Sequence, residues 1–270
     1  MKWTIYFSGL LILISCQNLL KNNFDESTAY NFSKPEKYWE MPYELREISG
    51  IDTINAHQLI AHNDEKGDLY IYDLKHKSIK KTIPFGKNGD YEDVVIVGKT
   101  AYVLQSNGTL FQVENFLESP KTIVHKTFLS NKDDVEGLCF DKKNNQLLLA
   151  TKGHKSNKIY AFSIKNNALN SQAVFEIDSK DLKKKYKIKK DFSPSAIAIH
   201  PKTKHYFVLS SIGKMIAEFN RQGKLLHVFN INYSHFGQPE GICFSENGDL
   251  YIANEANVGK ANILKFNYLQ

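Results

Sequence analysis

Three glutamates recur in one local setting. Glu136 opens EGLCF, Glu240 opens EGICF, and Glu92 opens EDVVI at the matching place of a third stretch. Two further stretches put serine there, Ser49 in SGI and Ser195 in SAI. Carboxylates gathered from such stretches onto one axis repel unless they are protonated or bridged by a cation. Hard oxygen donors in that number suit Ca2+, which takes about 6–8 oxygens at ~2.3–2.6 Å. No His or Cys belongs to the set, which argues against zinc. Asp93 and Glu47 lie one or two positions away and complete a candidate metal set of Glu47, Glu92, Asp93, Glu136 and Glu240. The same side chains have a second use, since a Glu at the start of a strand can accept N–H bonds from a neighbouring unit and hold the two in register. Both uses stay open at this level.

These residues are positioned by a repeat. The matching positions 49, 92, 136, 195 and 240 are spaced by 43, 44, 59 and 45 residues. Each unit reads as four short strands broken by Asn-, Gly- and Lys-rich turns such as KKNN, SENGD and NRQGK, which are hairpin signals. Four antiparallel strands every ~40–45 residues are the signature of a β-propeller. The fold expected is therefore all-β, a single propeller of five four-stranded blades. The last unit lacks its fourth strand, and KYWEMPYELRE at 37–47 can supply it and close the ring. A six-bladed ring would need the Lys-rich insertion 179–190 to be a blade, for which it is too short and too charged.

In a propeller the first strand of each blade lines the central channel, so Ser49, Glu92, Glu136, Ser195 and Glu240 should ring its mouth. The ends of the second strands return to the same face. They bring Asp64, Lys152 and Glu255 around the ring as further ligand candidates, beside Ser49 and Ser195. Lys152 near Glu136 offers an ion pair that would satisfy the ring without metal. Cys139 and Cys243 occupy equivalent repeat positions, which rarely lie within disulfide reach; both read as small buried apolar residues.

Composition limits the function classes. The chain has 270 residues and a formal net charge of +6. The excess sits in SKDLKKKYKIKK at 179–190, outside which 28 basic residues face 28 acidic ones. A neutral body argues against a nucleic-acid binder. That insertion reads as a solvated Lys-rich loop, with contact to anionic lipid as its functional alternative. The N-terminus has a short basic start and an apolar stretch at 5–14, too short to span a bilayer and typical of an export signal. LISC at 13–16 is similar to a bacterial lipobox, so residues 1–15 are expected to be a signal peptide and Cys16 a lipidated first residue. Residues 16–36 are expected to be a flexible tether and 37–270 the propeller. The expected location is the bacterial cell envelope, with the protein held to a membrane through its lipid at Cys16.

EISGI at 47–51, DYED at 90–93, PSAIAIHP at 194–201 and QPEGI at 238–242, in this order and spacing, resemble the SdiA-regulated family of exported bacterial propellers. The resemblance covers roughly residues 40–268. It implies a propeller and an envelope location but no reaction. No Gly-x-Ser-x-Gly, His-Glu-x-x-His or P-loop motif is present. Two functions follow. One is a membrane-tethered binding or scaffold module for a protein or small ligand, with Ca2+ at the channel mouth. The other is a Ca2+-dependent hydrolase acting on a lactone or ester, which would need a base near the substrate carbonyl. The first is favoured because two ring positions are Ser and no base stands out.

Overall fold

A computed structural model describes residues 29–152, 157–186, 192–257 and 259–269. Strand β1 (Lys37–Glu40) comes first in sequence but belongs to the last blade. Blade 1 is β2 (Ile48–Asn55), β3 (Gln58–Asn63), β4 (Asp68–Asp73) and β5 (Ser78–Pro84). Blade 2 is β6 (Tyr91–Val97), β7 (Thr100–Gln105), β8 (Leu110–Glu114) and β9 (Lys121–His125). Blade 3 is β10 (Val135–Asp141), β11 (Gln146–Thr151), β12 (Asn157–Ser163) and β13 (Ala168–Ile177). After the helix α1 (Ser179–Tyr186), blade 4 follows as β14 (Ala196–Ile199), β15 (Tyr206–Ser210), β16 (Met215–Phe219) and β17 (Leu225–Asn230). Blade 5 is β18 (Gln238–Phe244), β19 (Leu250–Glu255) and β20 (Asn262–Phe266), completed by β1.

All five sheets are antiparallel; blades 1 to 4 are meanders, and blade 5 takes its outer strand from β1. The inner strands touch in the order β2, β6, β10, β14, β18 and back to β2, which closes the ring. β1 pairs with β20 from Lys37↔Lys265 to Glu40↔Asn262. Trp39 of that strand donates its indole N–H to Leu74 O of blade 1 at 2.8 Å, tying last blade to first. The Asn-rich turns behave as their composition demands. Asn145 and Asn167 take φ of 49° and 51°, a left-handed geometry that Asn tolerates better than most residues.

The core lies between blades, not within them. Five apolar clusters fill the five interfaces, one for each successive pair. The alternation of each inner strand explains this. Ile51, Val94, Leu138, Ile197 and Ile242 face the preceding blade, while Cys139 and Cys243 face the following one. Both cysteines are free and buried, as expected. Among the described residues all five clusters are built from 29–269, so the chain from Ala29 onward carries all five blades and their interfaces.

Two expectations are corrected. The tether does not reach residue 36. Cys16 and the signal stretch lie outside the described residues, but Tyr30 and Phe32 are 1% and 5% exposed in the core between blades 4 and 5. Ala29 O accepts from Leu269 N–H at 2.9 Å and Lys265 O from Glu36 N–H at 2.8 Å. Aromatic anchors win here over a polar local composition. The insertion is not simply a solvated loop either. Its residues 179–186 form α1, and Leu182, 2% exposed, enters the core between blades 3 and 4. Ser179 caps that contact by donating to Phe192 O at 2.8 Å.

Strand order fixes the faces. Inner strands start at the channel mouth and run to the opposite, far face. Turns between first and second strands, and between third and fourth, therefore lie on the far face. The segment carrying α1 joins β13 to β14 on the mouth side.

Candidate site at the channel mouth

The Glu-Gly dipeptides divide two tasks. The first residue of each matched pair stands at the mouth, and the second packs against the next blade. A Cβ on Gly137 would lie 2.9 Å from Ile197 N, and one on Gly241 would lie 2.8 Å from Ser49 O. Glycine is required there because the neighbouring backbone occupies the side-chain space. Blade 2 has Asp93 at this position, and its carboxylate bridges to the next blade. Oδ1 accepts from Val94 N–H at 2.8 Å and Oδ2 from Leu138 N–H at 2.7 Å. Asp93 is 1% exposed, and burial drives its proton affinity well up against the pull of those two donors.

The serines are also register residues. Ser49 donates to Glu92 O at 2.9 Å and Ser195 to Pro239 O at 3.3 Å, each to the blade that follows. Asp52, which the sequence comparison passed over, does the same from a lower level: Oδ2 accepts from Ile96 N–H at 2.7 Å. Burial pushes its pKa up to about 6. Its repeat position matches Cys139 and Cys243, and a carboxylate aligned with two buried apolar side chains was the available signal. His62 is a second residue missed. It is fully buried, its Nδ1 lies 3.1 Å from Asn63 O, and burial lowers its pKa to about 4. It is therefore neutral, with Nδ1 donating.

The mouth itself gathers Glu92, Glu136 and Glu240 from three blades around Lys152. The Lys152 ammonium donates to Glu136 Oε1 at 2.8 Å, and its charge also acts on Glu92 and Glu240. Burial, followed by the charge of Glu136, pushes the pKa of Glu92 up to about 10. Burial lifts Glu136 to about 7 against the pull of Lys152. Burial also raises Glu240, which hydrogen-bonds Gln238 and Ser211. A second acidic group stands beside the first. Burial and then Glu47 and Glu255 raise Asp64 to about 7, and Gln238 donates to Glu255 Oε2. Asp64 Oδ1 is buried and has no hydrogen-bond partner in the structure.

The five candidate metal ligands thus do not form one ring. Asp93 has both oxygens committed to backbone, and Glu47 belongs with Asp64 and Glu255. Among the described residues no three His, Cys, Asp or Glu side chains converge as a ready metal cage. Lys152, bonded to Glu136 and acting by its charge on Glu92 and Glu240, supplies a cation to this group from within the chain.

The raised carboxyls make a stability prediction. A folded-state pKa above the unfolded value means that the native state holds a proton the unfolded chain has released. Stability then falls as pH rises from the ordinary value of 4.5 toward 7 for Glu136 and onward toward 10 for Glu92. Replacing Glu92 with Gln is expected to raise stability at pH 8 by about 1–3 kcal/mol and to flatten the fall between pH 5 and 8. Urea denaturation at several pH values measures this. A difference independent of pH would defeat the argument.

Comparison with known proteins agrees with the architecture. The SdiA-regulated family matches residues 46–259. No curated protein matches the sequence significantly. Among solved structures, Myxococcus xanthus glutaminyl cyclase superposes with a TM-score of 0.64 at 12% identity, over 87% of this chain and 95% of that one. The PQQ-bound aldose sugar dehydrogenase of Streptomyces coelicolor gives 0.53 at 10% identity, over 86% and 97%. Virginiamycin B lyase from Staphylococcus aureus gives 0.50 at 11%, over 81% and 67%. At these identities the likeness shows a shared propeller fold.

Proposed function

The chain belongs to the SdiA-regulated family, and on that premise we propose that it is an exported, membrane-tethered propeller whose channel mouth binds a cationic group. Family membership supports the envelope location, and Cys16 is the proposed site of the lipid anchor. The observation that carries the binding proposal is the ion pair of Lys152 with Glu136 at 2.8 Å, with the Lys152 charge also acting on Glu92 and Glu240. An internal lysine in a carboxylate cluster is a built-in counter-ion, and a ligand cation competes with it. Ca2+ is the proposed inorganic ligand, held by these three glutamates once Lys152 swings away. An ammonium on a small molecule or a protein partner satisfies the same charges.

Calorimetry with Ca2+ on the chain from Ala29 to Gln270 tests this. Replacing Lys152 with Met is expected to tighten binding by about tenfold or more, since a competing charge is lost. Glu136→Gln is expected to abolish it. If neither the native chain nor the Lys152 variant binds Ca2+ or a primary ammonium, the glutamates are structural.

A second reading, a Ca2+-dependent lactone or ester hydrolase, is favoured by one observation. Glu92 and Glu136 stand side by side at the mouth, burial raises the proton affinity of both, and the Lys152 bond pulls Glu136 back toward its ionised form. Two carboxyls with separated proton affinities can serve as general acid and general base. Glu92 would protonate the leaving oxygen, and Glu136, once ionised, would take a proton from the attacking water. A bound Ca2+ would polarise the carbonyl. The propeller enzymes it superposes on lend fold-level analogy only. Hydrolysis of a lactone or ester panel, lost in both Glu92→Gln and Glu136→Gln, would establish it over simple binding.

A further inference from the structure

The far face carries a basic field, opposite in sign to the carboxylates of Glu92, Glu136 and Glu240 at the channel, while α1 puts further lysines on the mouth side. By the strand order, its turns hold Lys75 and Lys77 in blade 1, Lys142 and Lys143 in blade 3, and Lys202 and Lys204 in blade 4, all exposed. Lys99, Lys165 and Lys224 extend this basic field across blades 2 to 4. Among the described residues of these turns the exposed acids are Glu118 and Glu246. Glu118 already faces Lys99 at 3.9 Å. The less exposed acids of the face are engaged too: Asp73 with His76, Asp141 with Arg221 and Asp249 with Lys265. The overall balance of the sequence hides this asymmetry, because the acids that offset these lysines are gathered elsewhere, notably at the mouth.

A second observation concerns the same face. The chain enters the fold there. Ala29 pairs with Leu269 beyond the end of β20, and Tyr30 donates to Gly248 O in the β18–β19 turn at 2.6 Å. Lys202 leans over the Tyr268 ring at 4.6 Å beside this entry point. The described chain therefore begins at the basic face, with the apolar stretch at 5–14 and Cys16 preceding it in sequence.

We infer that the far face is a docking surface for an anionic lipid bilayer, so that the propeller lies with its basic turns on the headgroups and its acidic mouth turned away. Charge complementarity names the partner. Lysines spread over several blades fit a broad sheet of negative charge, and the described chain begins on the same side. Helix α1 is excluded from this contact, since it lies on the mouth side. The inference rests on the membrane-tethered reading only for which surface is met in the cell. It does not depend on Ca2+ binding at the mouth.

The test is cosedimentation of the chain from Ala29 to Gln270, which lacks Cys16, with vesicles. Phosphatidylcholine vesicles are compared with vesicles containing phosphatidylglycerol. Binding is expected to the anionic vesicles alone and to weaken with salt. The combined variant Lys75→Glu, Lys142→Glu, Lys143→Glu and Lys202→Glu should bind at least about tenfold more weakly, since each lysine near such a surface adds to the attraction. The same four positions changed to Gln should give a smaller loss, which guards against a folding defect in the first variant. Lys180→Glu with Lys184→Glu, on α1, should leave binding unchanged. Equal binding to both vesicle types would overturn the inference, as would a loss that follows the α1 variant. Tighter binding of a DNA oligonucleotide at equal salt, lost in the four-lysine variant, would also overturn it by giving the face to nucleic acid.

Discussion

Replacing Tyr30 with Ala is expected to remove about 3–5 kcal/mol of unfolding free energy, the largest effect of any single change proposed for this protein. The side chain is 1% exposed although it lies in a polar N-terminal stretch. Its ring meets Phe32, His200, Phe207, Phe244 and Tyr268 with centroids 5.7–6.3 Å away. Removing it would leave a cavity walled by rings from blades 4 and 5, and closely packed walls relax only in part. Tyr30→Phe isolates the hydrogen bond to Gly248 O and should cost about 0.5–1.5 kcal/mol. Tyr43, 76% exposed, is the control; its replacement by Ala should stay within about 0.5 kcal/mol. Urea denaturation of the chain from Ala29 supplies all three numbers. A Tyr30→Ala loss below about 1 kcal/mol would mean that residues 29–36 lie against the propeller without supporting it.

Asp93→Ala should be nearly as damaging, at about 2–4 kcal/mol, by a different route. The carboxylate accepts the N–H of Val94 in its own blade and of Leu138 in the next. Both donors are buried. Deleting the acceptor leaves them unpaired, and each such loss costs about 1–3 kcal/mol. Part of that cost is offset, because a buried carboxylate is itself unfavourable. Asn in its place keeps one acceptor and presents an amide to the other donor, so Asp93→Asn should fall between native and Ala. The same denaturation series reads the result. A near-neutral Asp93→Ala would show that the blade-to-blade bonds contribute little and that apolar packing alone sets the register.

These two positions were unequally visible in the sequence. Asp93 stood in the repeat, one place after a glutamate, where its residue type suggested a metal ligand. Only the closeness of the next blade showed that its oxygens are already occupied. Ser49 and Ser195 follow the same logic: their hydroxyls reach the following blade's carbonyls, so they hold register. Glu92, Glu136 and Glu240 stand near the starts of three inner strands, because a repeat of matched strands carries equivalent residues to equivalent places. Their shared field, with Lys152 inside it, depends on distances across the channel that strand periodicity does not contain.

Tyr30 and Phe32 left no periodic trace at all. Their burial comes from a groove lined by residues such as Phe207, Phe229 and Phe266, about two hundred positions along the chain. The helix α1 was hidden for a related reason. Its lysines dominate the composition, and the one residue that fastens it, Leu182, matters only because blades 3 and 4 leave room for it. The far-face lysines were each legible as turn residues, yet their common side appears only when successive hairpins are wound into a ring.

Blade number, strand order, closure by β1 and the identity of the mouth residues were thus set by local alternation and repetition, which are properties of neighbouring residues. Which carboxylates keep their protons, which are committed to backbone, where the N-terminal segment docks and which face is basic were decided by tertiary structure. Those outcomes depend on desolvation, charge separation and groove shape, and these arise between residues far apart in the chain.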